Sequence, residues 1–226
     1  MQAQQENNYS SSSYTKEEIS KLESRYQFCG HPLRITRDFS SNLGISAIIW
    51  EAGLVLCRYF EQEKISFSGK KVIELGSGTG IVGILAALLG GDVTLTDQLM
   101  VLNQIQFNIT NNIPVSIQQR AKVSTLLWGD NLDQFPINYD FILGSDIVYN
   151  SRDFPALIKT LQHLSNQNTV IYLCSKMRES MGAIEFHEKL LPQHFNTEIV
   201  HRTADKEINV FKVTKKGLDA IENPLM

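Results

Sequence analysis

Lys70-Lys71-Val72-Ile73-Glu74-Leu75-Gly76-Ser77-Gly78-Thr79-Gly80 runs an apolar strand straight into a glycine-rich turn, and the apolar stretch Ile81 to Leu89 follows it as a helix. A short apolar run of this kind is how a buried parallel strand reads. Glycines directly after it let the backbone turn sharply and approach a ligand that a Cβ would exclude. The stretch therefore predicts a nucleotide-cofactor loop at the head of an α/β fold. Glu74 stands out, because a carboxylate near the end of a core strand is costly unless it finds donors. It is expected to face the loop amides or a ligand amine.

Working outward, the alternation of strand and helix continues. Val93 to Thr96 and Leu99 to Asn112 form the next pair, with Pro114 marking a break. Lys122 to Trp128, Tyr139 to Gly144 and Thr169 to Leu173 read as further strands, with a helix over Phe154 to Leu164 and another over Gly182 to Leu190. Such alternation implies a parallel sheet covered on both faces. The chain closes with alternating runs Thr197 to His201 and Ile208 to Val213 about a polar turn containing Asp205 and Lys206. Two strands joined so briefly must be antiparallel. The fold class expected is α/β, a Rossmann-like seven-strand sheet that is mostly parallel with an antiparallel C-terminal hairpin.

Toward the amino terminus, Ile45 to Phe60 carries apolar residues at helical spacing, with Trp50 at the edge of the apolar face. A Trp there is either a half-buried anchor or a cover for a ligand. Tyr26 to Cys29 and Pro32 to Arg37 alternate about Gly30-His31 and read as a β-hairpin. Residues 1–20, rich in Gln, Asn and Ser, are expected to be a disordered tail; 21–216 to be one domain; and 217–226 a C-terminal tail.

Composition narrows the classes. The 226 residues are 42% hydrophobic and 20% charged, which suits one globular domain. A net charge of −3 gives no broad basic footprint, so a nucleic-acid partner is not expected. Cys29, Cys57 and Cys174 form no C-x-x-C pair, and the five histidines show no H-E-x-x-H, so no metal site is expected. No run is long enough to span a bilayer, and Met1 to Ser13 has no signal-peptide pattern, which points to a reducing cytosolic or nuclear compartment.

Two cofactor classes use such a turn. A dinucleotide pattern G-x-G-x-x-G occurs at Gly78, Gly80 and Gly83, but its register is poor because Gly76 already follows the strand. In an open parallel sheet ligands sit beyond the carboxyl ends of the strands. Gathered there are Gly76, Ser77 and Gly78, then Asp97, Trp128, Ser145, Asp146 and Tyr149. The register E-x-G-x-G-x-G at Glu74 to Gly80, with Asp97 ending the following strand, resembles the second class, the S-adenosylmethionine-dependent methyltransferases, and that cofactor asks for a carboxylate for its ribose, an apolar or aromatic wall for adenine, and polar loop atoms for its amino-acid end. These residues supply each. Asp97 could instead cap the following helix, and Trp128 could be a core residue. Asp146-Ile147-Val148-Tyr149 is the segment expected to face the acceptor, with an acid and a phenol one turn apart and acting by positioning, the alternative being a helix cap and a surface aromatic.

With E-x-G-x-G-x-G at Glu74 to Gly80, Asp97, Trp128-Gly129 and D-x-x-Y at Asp146 to Tyr149, the chain resembles the methyltransferase-like 21 group of seven-β-strand protein-lysine methyltransferases, from about Tyr26 to Val213. The resemblance implies S-adenosyl-L-methionine as cofactor, with S-adenosyl-L-homocysteine as product. It implies cofactor contacts at Trp50, Glu74, Gly76, Ser77, Gly78, Asp97, Trp128 and Ser145, the last through its backbone, since the group often has Ala there. Asp146 and Tyr149 are implied as catalytic positions. Within the group, Phe28 to His31, Gly83 to Leu88, Ser175 to Arg178 and Leu191 to Phe195 look most like the members that act on eukaryotic elongation factor 1A. Related members modify chaperones of the heat-shock 70 and AAA classes. A monomer in the cytoplasm is expected, with a centrosomal pool implied by resemblance alone. The competing readings are a docking module that keeps the cofactor fold without turnover, and a small-molecule or nucleic-acid methyltransferase. The D-x-x-Y segment argues against the latter.

Overall fold

A computed structural model describes residues 21–39, 42–203, 205 and 207–217. The expected tail over 1–20, all of the expected tail over 217–226 but Gly217, and Lys206 of the last turn lie outside the described residues. The central sheet has seven strands: β3 (Lys71–Leu75), β4 (Asp92–Asp97), β5 (Ala121–Thr125), β6 (Phe141–Ser145), β7 (Val170–Lys176), β8 (Phe195–Thr203) and β9 (Ile208–Lys215). Their order across the sheet is β5-β4-β3-β6-β7-β9-β8, and the five strands from β5 to β7 are parallel. β9 enters antiparallel between β7 and β8. The order reverses between β4 and β6, on either side of β3, and there a crevice opens at the carboxyl ends of the strands.

The two faces follow from the strand period of two. Val72 of β3 packs into one core with Leu143, Tyr172 and Cys174, under the helices α1 (Glu51–Gln62), α2 (Ile81–Leu88) and α3 (Leu102–Asn112). Ile73 and Leu75 point the other way, into a second core with Ile142, Ile171, Leu173 and α4 (Phe154–Leu164). Glu74 shares the face of Val72, so its carboxylate is placed beneath α2.

α2 is apolar all round and buried because it is enclosed on every side. Gly83 lets it lie that close: a Cβ there would come within 2.5 Å of a Glu74 carboxylate oxygen and 2.7 Å of Leu95. The third glycine of the dinucleotide pattern thus serves helix–sheet contact.

The N-terminal hairpin, β1 (Lys21–Phe28) and β2 (His31–Asp38), is a separate two-stranded sheet turning at Cys29 and Gly30. It docks on α3 through side-chain amides. The Gln104 carbonyl accepts from the amide of Asp38, while Asn108 and Asn112 each both accept from and donate to the backbone of Thr36 and Arg34 respectively. A helix advances about 6 Å per four residues and a strand about 6.7 Å per two. Amides at 104, 108 and 112 therefore match alternate residues of an edge strand.

Four expectations are corrected. The helix expected from Ile45 begins at Glu51; Gly44–Ala47 is a short 3-10 turn, and Ile48 to Trp50 is extended. The apolar residues Ile45 and Ile48 are exposed at the mouth of the crevice, so their helical spacing reported a different use. The third strand ends at Thr125, before Trp128. The last helix reaches His194 through a π-helical turn, Phe186–Leu190. Asp146 and Tyr149 are not one helical turn apart, because 146–150 carries no helix.

Candidate functional site

A cleft of about 280 Å³ opens at the reversal of strand order. Its floor is the turn after β3. Gly76, Gly78 and Gly80 all have positive φ, at 62°, 55° and 80°, conformations that cost glycine little and L residues more. At Gly76 the close approach also matters, since a Cβ would meet Ile147 at 2.8 Å. α2 begins at this loop, with Ile81 lining the cleft and the Gly83 N–H of its first turn taken by the Glu74 carboxylate beneath.

Asp97, last residue of β4, accepts the Gly78 amide at 2.8 Å and the Gln98 amide at 2.7 Å, one on each carboxylate oxygen. Each oxygen keeps a lone pair for a further donor. Burial pushes its pKa up, and the two amides pull it back. It does not cap a helix with its side chain: the short turn Leu99–Val101 has no side-chain cap. Trp128 lies on the wall with Leu126, in the segment leaving β5. Ser145 ends β6 and also lines the cleft.

Trp50 also lines the cleft. Its indole N–H donates to the Ile45 carbonyl at 3.1 Å, which closes the segment 45–50 on itself. Gln104, absent from the expected set, ties that segment to the loop: its amide donates to the carbonyls of Ser46 and Gly78. Its signal in the sequence was faint, one polar residue on an otherwise expected buried helix face.

Glu74 is the one expected cofactor contact that does not line the cleft. It is buried under the loop and accepts the Gly83 amide at 3.1 Å. Burial lifts its pKa to about 8, against the pull of the Ser77 hydroxyl and the Gly83 amide. Its carboxylate faces the Gly83 amide of α2 and the Ser77 hydroxyl of the loop, because the strand period aims it at α2.

Just after β6, in the cleft lining, the backbone of Asp146 is left-handed, φ 53°, with its amide bonded to the Cys174 carbonyl at 2.7 Å. Left-handed backbone at a non-glycine residue carries strain that recurs at functional sites. The Asp146 carboxylate receives Arg178 in a two-pronged pair, at 2.9 and 3.1 Å, and the Lys176 amide at 3.1 Å. The same guanidinium lies over the Trp50 ring, 5.5 Å from its centroid. Arg178 was legible only as part of the family-like stretch Ser175 to Arg178. Tyr149 stands on the cleft wall, 40% exposed, its phenol held protonated by burial and by the charges of Asp97 and Asp153.

The donor set fits S-adenosylmethionine: a carboxylate with free lone pairs at the end of the second parallel strand, a glycine-opened floor, and an aromatic and aliphatic wall. Among the described residues no cluster of His, Cys, Asp and Glu could hold a metal ion, and no helix is long and apolar enough to cross a membrane.

The sheet order, with its inserted antiparallel strand, and the position of this cleft define an S-adenosylmethionine-dependent methyltransferase. A glycopeptide N-methyltransferase solved with S-adenosylmethionine shares the fold, with a TM-score of 0.57 at 13% identity over 74% of this chain and 93% of that one. Residues 27–191 match the family model described as lysine methyltransferase. The chain is 53% identical over 193 residues to EEF1A lysine methyltransferase 3 of Xenopus tropicalis, covering 85% of each. It is 42% identical over 201 residues to protein N-lysine methyltransferase METTL21A of Danio rerio, covering 87% of this chain and 91% of the relative. The chain belongs to the lysine methyltransferase family, and its activity is methylation of protein lysine.

Proposed function

We propose that the chain transfers methyl groups to a lysine ε-amine of eukaryotic elongation factor 1A. The acceptor rests on one observation: relatives named for that factor in two vertebrates are each 53% identical to this chain, well above the 42% of the METTL21A relative.

The residue roles are proposed with it. Asp97 accepts the ribose hydroxyls, Trp128 flanks adenine, and Trp50 borders the cofactor. The turn Gly76 to Gly78 borders the amino-acid end, with the Ser77 amide held by the Thr96 carbonyl and that of Gly78 by Asp97, and Ser145 contributes backbone. When bound, S-adenosylmethionine supplies an electrophilic methyl carbon on a positively charged sulfur. The acceptor lysine must then reach Asp146 and Tyr149 as a neutral amine with its lone pair directed into the cleft. Tyr149, protonated, is a donor and acceptor that orients this amine and is no general base at neutral pH. Positioning of this kind can supply ~7 to 11 kcal/mol. The exposed apolar residues Ile45, Ile48 and Leu127 at the cleft mouth are suited to receive a folded protein.

The test is transfer of labelled methyl to purified elongation factor 1A, with a heat-shock 70 and an AAA chaperone alongside, and mass spectrometry of the labelled peptide. Label on a lysine of the elongation factor alone is the expected result. Label on a chaperone alone would keep the chemistry and replace the acceptor; cofactor binding without any label would favour a docking module.

A further inference from the structure

A carboxylate beside an acceptor lysine presents a difficulty. An opposite charge stabilises the ammonium form, whose reference pKa is ~10.4, whereas attack on a methyl carbon requires the lone pair. The structure contains a counterweight. Both Asp146 carboxylate oxygens are taken by Arg178, and the ion pair is largely removed from water, with the Asp146 side chain 3% exposed and that of Arg178 24% exposed. The guanidinium is fixed on its second side by the Trp50 ring, a residue of the cleft wall. A planar, permanently charged fork suits such a site in a way that lysine does not.

We propose that Arg178 is a positioning residue that cancels the Asp146 charge at the acceptor end of the cleft, so that the acceptor amine is taken up neutral. The ammonium gives its proton to water, the freed lone pair forms the new N–C bond, and the electrons of the broken C–S bond stay on sulfur. Arg178 acts on the first of these events through Asp146. The inference rests on the proposed placement of the acceptor beside Asp146. Other titratable groups at this end are Tyr149 and Asp153 on the same loop, Asp97 from β4, Cys174 beneath in β7, and Lys176 and Glu179 flanking Arg178. All are common to wild type and variant, so a difference between the two isolates Arg178.

The test is the pH profile of kcat/KM for methylation of elongation factor 1A by the full chain and four variants, with cofactor affinity measured by calorimetry. Arg178→Met should move the rising limb to higher pH by about one unit or more, the effect of one nearby opposite charge. That is a loss of about tenfold near neutrality that recovers in alkali. The double variant D146N/R178M should return the midpoint toward that of wild type, and R178K, which keeps the charge, should hold it there. Calorimetry of acceptor binding in buffers of different ionisation heat should show proton release by wild type and less by R178M. An unshifted midpoint in R178M, with rate lowered at every pH alike, would overturn the proposal and leave Arg178 a structural role. Wild-type rate and midpoint in Asp146→Ala, or no transfer by wild type, would instead remove the placement of the acceptor on which it rests.

Discussion

Glu74 shows how one residue can be legible in kind but not in aim. A carboxylate in a core strand demanded donors, and it found the Gly83 amide beneath the cleft. Its pKa of about 8, raised by burial from 4.5, makes a stability prediction. Below 4.5 the side chain is protonated in both the folded and unfolded chain, and the stabilisation from burying it neutral is complete. As pH rises from there to about 8, only the unfolded chain ionises, so stability is lost across that window. Glu74→Gln removes this titration while keeping a carbonyl for Gly83. Its urea midpoint relative to wild type should therefore rise between about pH 5 and about pH 9. Parallel midpoints across that range would mean that Glu74 is ionised in the native protein.

At the scale of elements, α3 does two jobs. Gln104, Asn108 and Asn112 pair with alternate backbone groups of β2, and the first two also reach the glycine loop, Asn108 through the Thr79 carbonyl and Gln104 through that of Gly78. One helix thus fixes both the hairpin and the cofactor floor. Asn108 is fully buried, so Asn108→Ala leaves the buried Thr79 carbonyl and the part-buried amide and carbonyl of Thr36 without their partner. Unsatisfied buried groups cost ~1 to 3 kcal/mol each, and chemical denaturation should show a loss of at least ~2 kcal/mol. Asn112→Ala sits where water can replace the amide and should cost less than ~1 kcal/mol. Equal losses would show that the ladder is not what holds the hairpin.

For the whole molecule, the seven-strand sheet leaves two edges, β5 and β8. Open edges invite pairing with other chains unless they are short, charged or irregular. β5 has five residues and presents Lys122, while β8 is broken by a bulge between Ile199 and His201. A monomer is the state these edges favour, and sedimentation equilibrium at micromolar concentration should return the mass of one chain. A dimer would point instead to the apolar cleft mouth, and would compete with the acceptor.

What the sequence determined by itself were the order of strands and helices, the glycine loop and the residues collected at the sheet's carboxyl edge. Those signals are local: periodicity, glycine where a turn demands it, a proline where a helix stops. The D-x-x-Y segment and Trp50 were found as positions, but their surroundings were not. Only the tertiary structure decided that Ile45 to Trp50 is a strap over the cleft and not a helix, that Glu74 faces α2, and that Arg178 binds Asp146 across 32 residues of chain. The same apolar residues satisfy a helical period whether they are buried in a core or exposed at a cleft. A charge likewise carries no mark of its partner until the sheet brings β6 and β7 side by side.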